Sequence, residues 1–172
     1  MYHRNIVDVT RFKLSLPCDV EHVSSFRFLS RIRYTKWTMS DLKQKSDSYW
    51  KEKLTLEQYK TLREKGTDIP FTGSLLRNKE SGIYTCAACG TPLFASDTKF
   101  DSGSGWPSFS DVLEKGNIEL KEDHTGGMNR TEVVCATCGG HLGHVFNDGP
   151  TSTGQRYCIN GTALNFKSRG NT

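Results

Sequence analysis

Three absences frame this 172-residue chain. No apolar run approaches the ~20 residues that a helix needs to cross a bilayer, so a helical membrane span is not expected. No glycine precedes Gly66, although the chain holds sixteen, so tight turns are confined to the later part. Acidic residues are scarce in the first forty positions, where Asp8, Asp19 and Glu21 face seven Lys and Arg side chains. That excess of four is the whole formal net charge of +4, and the remaining residues balance at sixteen of each sign. A basic face for nucleic acid is therefore not expected on the glycine-rich part, whose cations are scattered. With 35% hydrophobic and 24% charged residues, the chain is too balanced for a disordered or collagen-like protein. Its length fits one domain with an appendage.

Residues 1–39 show no sustained helical or strand period. Arginines alternate with Phe26, Phe28, Leu29 and Ile32 beside Ser24, Ser25 and Ser30. An Arg- and Ser-bearing, acid-poor segment suits a mitochondrial presequence, whereas a secretory signal lacks its uninterrupted apolar stretch. The expected division is a leader at 1–39 and a catalytic domain at 40–172. Initiation at Met39 would give a leaderless cytoplasmic form, and the endoplasmic reticulum is the other alternative. Ser40 to Lys53 reads as one weak, polar helix. A second follows, with Thr55 and Gln58 as a capping box, Leu56, Tyr59 and Leu62 on one face, and Gly66 as its stop.

From Gly82 onward the periods shorten. Ile83–Cys86, Ile118–Leu120, Thr131–Val134, Leu142–Phe146, Tyr157–Ile159 and Ala163–Phe166 are strand-like runs between turn residues. The expectation is a mainly β fold of small antiparallel sheets behind short N-terminal helices. An internal repeat stands out: Cys86-Ala-Ala-Cys89-Gly90 and Cys135-Ala-Thr-Cys138-Gly139. Two such turns supply four thiolates, a set suited to one tetrahedral, structural Zn²⁺. Two redox dithiols, paired disulfides or iron–sulfur ligation are the competing readings, although no βαβ context favours a redox pair.

Of the remaining cysteines, Cys18 lies in the leader and Cys158 in Arg156-Tyr-Cys158-Ile-Asn160. In an extended strand Arg156, Cys158 and Asn160 point to one face. A neighbouring cation lowers a thiol pKa, and His141 and His144, directly after the second cysteine pair, can hold or deliver a proton. Between the pairs, Gly103-Ser-Gly-Trp106-Pro-Ser-Phe109 can aim an indole at a pocket, or simply furnish core aromatics.

Taken together, these motifs resemble the B-type methionine sulfoxide reductases, one of the two enzyme classes that reverse methionine oxidation, each for one epimer. The resemblance rests on Cys86-x-x-Cys89, Phe100–Phe109, Cys135-x-x-Cys138-Gly-x-His141-Leu-Gly-His144 and Arg156–Asn160, and covers about residues 50–168. It implies two small sheets, a zinc site away from the chemistry, and reduction of methionine R-sulfoxide, especially in proteins. Carried over by residue, Cys158 is the nucleophile and forms a sulfenic acid. His141, His144 and Asn160 orient and protonate the oxygen, and Arg156 supports the thiolate. Trp106, with Phe109, binds the substrate, while Cys86, Cys89, Cys135 and Cys138 hold the metal. Asp148 assists the histidines or shapes a turn.

Many members of that family have a cysteine where this chain has Ser104, and that cysteine resolves the sulfenic acid. Direct reduction by thioredoxin or a small thiol is therefore expected, with relay through Cys18 as the alternative. A monomer is expected, with no nucleic-acid or membrane partner. The rivals are a non-enzymatic zinc-ribbon binding module, which leaves Cys158, the histidines and Trp106 unexplained, and a thiol peroxidase or disulfide oxidoreductase.

Overall fold

The computed structural model describes residues 40–170; the expected leader and Cys18 lie outside the described residues. The stretch read as one weak helix forms two, α1 (Ser40–Lys43) and α2 (Asp47–Lys53). The break is local chemistry: Ser46 leaves the helical conformation, and its hydroxyl accepts from the Tyr49 amide to cap α2. Helix α3 (Leu56–Glu64) carries the expected capping box, with Gln58 N donating to Thr55 Oγ1 and Thr55 N to Gln58 Oε1, each at 3.2 Å. Tyr59, Thr61 and Leu62 are buried, but Leu56 is 70% exposed. Six residues carry it about 120° round the axis from Leu62, off the buried face. Lys65, rather than Gly66, takes the left-handed conformation that ends the helix (φ 58°, ψ 34°).

Nine strands follow among the described residues: β1 (Gly82–Cys86), β2 (Pro92–Ala95), β3 (Lys99–Phe100), β4 (Ser108–Phe109), β5 (Ile118–Asp123), β6 (Arg130–Cys135), β7 (His141–Phe146), β8 (Arg156–Ile159) and β9 (Leu164–Ser168). They form two antiparallel sheets, ordered β2-β1-β9 and β3-β4-β8-β7-β6-β5. The mainly β architecture with two sheets is as expected. Strands β2, β3 and β4 are too short, at two to four residues, to show a period in the sequence. No described helix is long and apolar enough to cross a membrane.

One core joins the sheets. Trp50, Leu62, Tyr84, Leu93, Phe94, Phe109, Leu142 and Ile159 are buried in it. Phe109 is fully buried, stacked on Phe94 at 4.4 Å and edge-on to Tyr84 at 5.0 Å. That placement corrects the expectation for Phe109: its ring is committed to packing, and Ala there would cost roughly 3–5 kcal/mol of stability. For the site, the important feature is the centre of the larger sheet, where Cys158 of β8 lies opposite Ser108 of β4 and His144 of β7.

Candidate active site and metal centre

The two cysteine repeats fold alike. In each, the first cysteine's amide bonds to the carbonyl five residues on (Cys86 to Thr91, 2.8 Å; Cys135 to Gly140, 2.9 Å). The glycine's amide bonds back to that cysteine's carbonyl (Gly90 to Cys86 and Gly139 to Cys135, both 2.8 Å). This closure needs a positive φ, 78° at Gly90 and 71° at Gly139, which glycine takes without strain. The four sulfurs consequently face one another, all within 4.8 Å, with Cys86–Cys138 at 3.7 Å and Cys89–Cys135 at 3.6 Å. Tetrahedral thiolates ~2.3 Å from Zn²⁺ stand about 3.8 Å apart, so the cluster fits that ion. These separations are far beyond a bonded S–S pair near ~2.05 Å. Helix α3 braces the second turn: Arg63 Nη1 donates to Cys138 O at 3.2 Å, and a Cβ on Gly140 would stand 3.0 Å from Leu62.

Elsewhere in the larger sheet, a cavity of about 130 Å³ is lined by Thr67, Trp106, Arg130, Gly143, His144, Phe146, Cys158 and Asn160. Four expected site residues, Trp106, His144, Cys158 and Asn160, thus meet at one place. The cavity is well below the ~300–1,000 Å³ of pockets for drug-sized ligands, and suits the end of a side chain.

Each wall has a local cause. Residues three apart on a regular strand point to opposite faces, but a bulge sets Val133 opposite Gly143 and Val134 opposite His141. Leu142 is the extra residue, so His141 and His144 fall on one face with ring centroids 5.5 Å apart. Gly143 lets β8 close on this bend, since a Cβ there would lie 2.1 Å from the Cys158 carbonyl oxygen. Trp106 is aimed by its own N–H, which donates to Asp68 O at 2.9 Å. Asn160 ties the same loop down: its Oδ1 accepts from Asp68 N at 3.0 Å while Nδ2 donates to Leu142 O at 3.1 Å.

Cys158 Sγ is half-buried, 3.7 Å from Ser104 Oγ. Ser104 and Ser108 both share hydrogen bonds with Ser102, at 2.8 and 2.7 Å. Burial pushes the Cys158 thiol above its ordinary pKa and outweighs the opposing pull of Ser104, Arg156 and Ser108. The expected acidification by Arg156 is thus overcome. Burial is the reason, for Arg156 still favours the thiolate while its guanidinium also bonds Asp148 at 2.8 and 2.9 Å and lies over the Phe146 ring at 4.5 Å. Asp148 accordingly serves Arg156 rather than the histidines.

His141 is buried and does not line the cavity; its Nδ1 lies 2.7 Å from Glu132 Oε1. Glu132, only 2% exposed, also accepts from Lys65 Nζ at 2.8 Å. His144 Nε2 lies 2.7 Å from Asp123 Oδ2, which also accepts from Arg130 at 2.9 Å. Sequence reasoning missed Glu132, Asp123, Arg130 and Asp68. Only Glu132 carries a signal, a lone carboxylate directly before the apolar Val133-Val134-Cys135.

The description "SelR domain" belongs to the family model that matches residues 54–168. The peptide methionine sulfoxide reductase MsrB of Methanosarcina barkeri is 62% identical over 125 residues, covering 73% of this chain and 88% of its own. Its namesake in Methanosarcina mazei is 60% identical over 129 residues, covering 75% and 92%. That of Leptospira interrogans is 58% identical over 123 residues, covering 72% and 94%. A crystal structure of a Mis18 "Yippee-like" domain is similar over 54% of this chain and 100% of that one. Its TM-score of 0.42 and 19% identity are too slight to bear on function. With a family model spanning most of the described residues and relatives at 58–62% identity, the chain belongs to the SelR-domain family of B-type methionine sulfoxide reductases.

Proposed function

We propose that the chain, an oxidoreductase by family, reduces the R epimer of methionine sulfoxide, chiefly in oxidised proteins, with Cys158 as nucleophile. The observation that carries this reading is the Cys158 thiol in a small cavity beside Trp106, His144 and Asn160. Cys158 sulfur attacks the sulfoxide sulfur, and the oxygen passes to the cysteine. A thiol and a sulfoxide become a sulfenic acid and methionine: methionine sulfur gains two electrons, Cys158 sulfur loses two, and the thiol proton ends on the transferred oxygen. Oxygen leaves poorly until it is protonated, so proton handling by His144 and His141 belongs to the same step. Trp106, fixed through Asp68, offers its ring to the substrate's methyl group, which selects the epimer. Asn160 holds the Asp68 loop in place and presents its amide to the oxygen, while Arg156 supports the thiolate.

Cys86, Cys89, Cys135 and Cys138 would hold one Zn²⁺, whose chemistry is structural because four protein sulfurs leave no position for substrate. Ser104 stands 3.7 Å from Cys158 but cannot form a disulfide, which supports direct reduction of the sulfenic acid by thioredoxin or a small thiol. The acid-poor composition of residues 1–39 supports a leader ahead of a catalytic domain at 40–172. Mass spectrometry after a single turnover without reductant tests this route. The expected result is one methionine released and one oxygen gained at Cys158, with neither in Cys158→Ser. A Cys18–Cys158 disulfide as the stable product would overturn direct reduction.

A further inference from the structure

The two histidines are bonded through different nitrogens. His141 meets Glu132 through Nδ1, and His144 meets Asp123 through Nε2, both at 2.7 Å. An ionised carboxylate only accepts hydrogen bonds, so the ring nitrogen facing it must carry the hydrogen. Both carboxylates are kept ionised. Burial alone would push Glu132 up, but the bonds from Lys65 and His141 outweigh it and the net direction is down. Hydrogen bonds from Thr125 first, then from His144, hold Asp123 well below the usual carboxylate range, and Arg130 adds to them. Burial also pushes His141 down against the pull of Glu132, favouring its neutral ring.

The two assemblies match in plan and differ in hand. Each places a cation behind a carboxylate and the carboxylate behind an imidazole: Lys65–Glu132–His141 and Arg130–Asp123–His144. Glu132 lies across the strand pair from His144, yet bonds His141. The β7 bulge therefore determines which carboxylate each imidazole meets.

We propose that Glu132 and Asp123 are positioning residues that lock His141 and His144 in opposite tautomers, protonated at Nδ1 and Nε2 respectively. His141 Nε2 and His144 Nδ1 are then the lone-pair nitrogens. His144, whose ring lines the Cys158 cavity, is the one that can receive the thiol proton and return it to the sulfoxide oxygen, with the buried His141 ring centred 5.5 Å from it. This role rests on the reductase reading above. A single shared tautomer would offer like nitrogens; opposite ones give the pair two different acceptors while each ring stays fixed by its carboxylate.

Long-range ¹H–¹⁵N NMR of the full wild-type chain near pH 8, with signals assigned by loss in His141→Gln and His144→Gln, reads the tautomers directly. His141 is expected as the Nδ1–H form and His144 as the Nε2–H form; the reverse at either ring overturns the proposal. Asp123→Asn is the variant of choice because Glu132 is more deeply buried. It should move His144 towards the Nδ1–H form and lower kcat about 10–100-fold with KM little changed, and Asp123→Glu should restore the Nε2–H form and part of kcat. Unchanged kcat in Asp123→Asn, or lost kcat with the tautomer unmoved, contradicts the assignment. A wild-type enzyme that fails to reduce methionine sulfoxide sinks the reductase reading. Wrong tautomers in an active enzyme sink this inference alone.

Discussion

At the scale of single residues, the decisive competition is at Cys158, where burial raises the thiol pKa and Ser104 and Arg156 pull it down. Because the net direction is up, the thiolate fraction at neutral pH is small and grows only as pH rises past the ~8.5 of a free cysteine. Alkylation of Cys158 by iodoacetamide, followed by peptide mass, should show its inflection above that value. Arg156→Ala should move the inflection higher still, since it removes an attraction that favours the thiolate. An inflection near pH 7 would contradict this balance. The sign was not readable in the sequence: Arg156 two residues from Cys158 suggests acidification, but only the fold shows the burial that outweighs it. Phe109 illustrates the same limit. Its motif neighbour Trp106 reaches the cavity while Phe109 stacks in the core, and both read alike as aromatics beside a glycine turn.

At the scale of elements, the Cys-x-x-Cys-Gly repeat was fully legible, because spacing and a glycine needing positive φ suffice to specify the turn. The β7 bulge was not, since nothing in His141-Leu-Gly-His144 distinguishes a bulged strand from a straight one. Nor was the division of residues 40–53 into two helices, which depends on Ser46 acting as a cap. Structural zinc sites contribute apparent free energies of ~10–16 kcal/mol in small metal-bound domains, comparable to a whole domain's ~5–15 kcal/mol of stability. Cys86→Ser should therefore lose its metal and melt far below the wild type, as followed by metal analysis and thermal circular dichroism. A stable, metal-free and active variant would contradict a structural role.

At the scale of the molecule, the +4 charge that hints at a nucleic-acid partner belongs to residues 1–40, and the remainder is neutral. The described part is two antiparallel sheets around one core, with the four-cysteine cluster and the Cys158 cavity at separate places on it. Motif spacing indicated both sites because each is assembled from short motifs, the two Cys-x-x-Cys-Gly turns for one and the runs around Trp106, His144 and Cys158 for the other, which the fold gathers from distant parts of the chain. The carboxylates behind the histidines were hidden because Asp123 and Glu132 reach them from other strands. The central claim, that Cys158 reduces the R epimer, is tested most directly by turnover of peptides carrying either R- or S-methionine sulfoxide, with wild type and Cys158→Ser. The expected result is turnover of the R peptide alone, abolished by the substitution; equal rates on both epimers, or activity surviving Cys158→Ser, would contradict it.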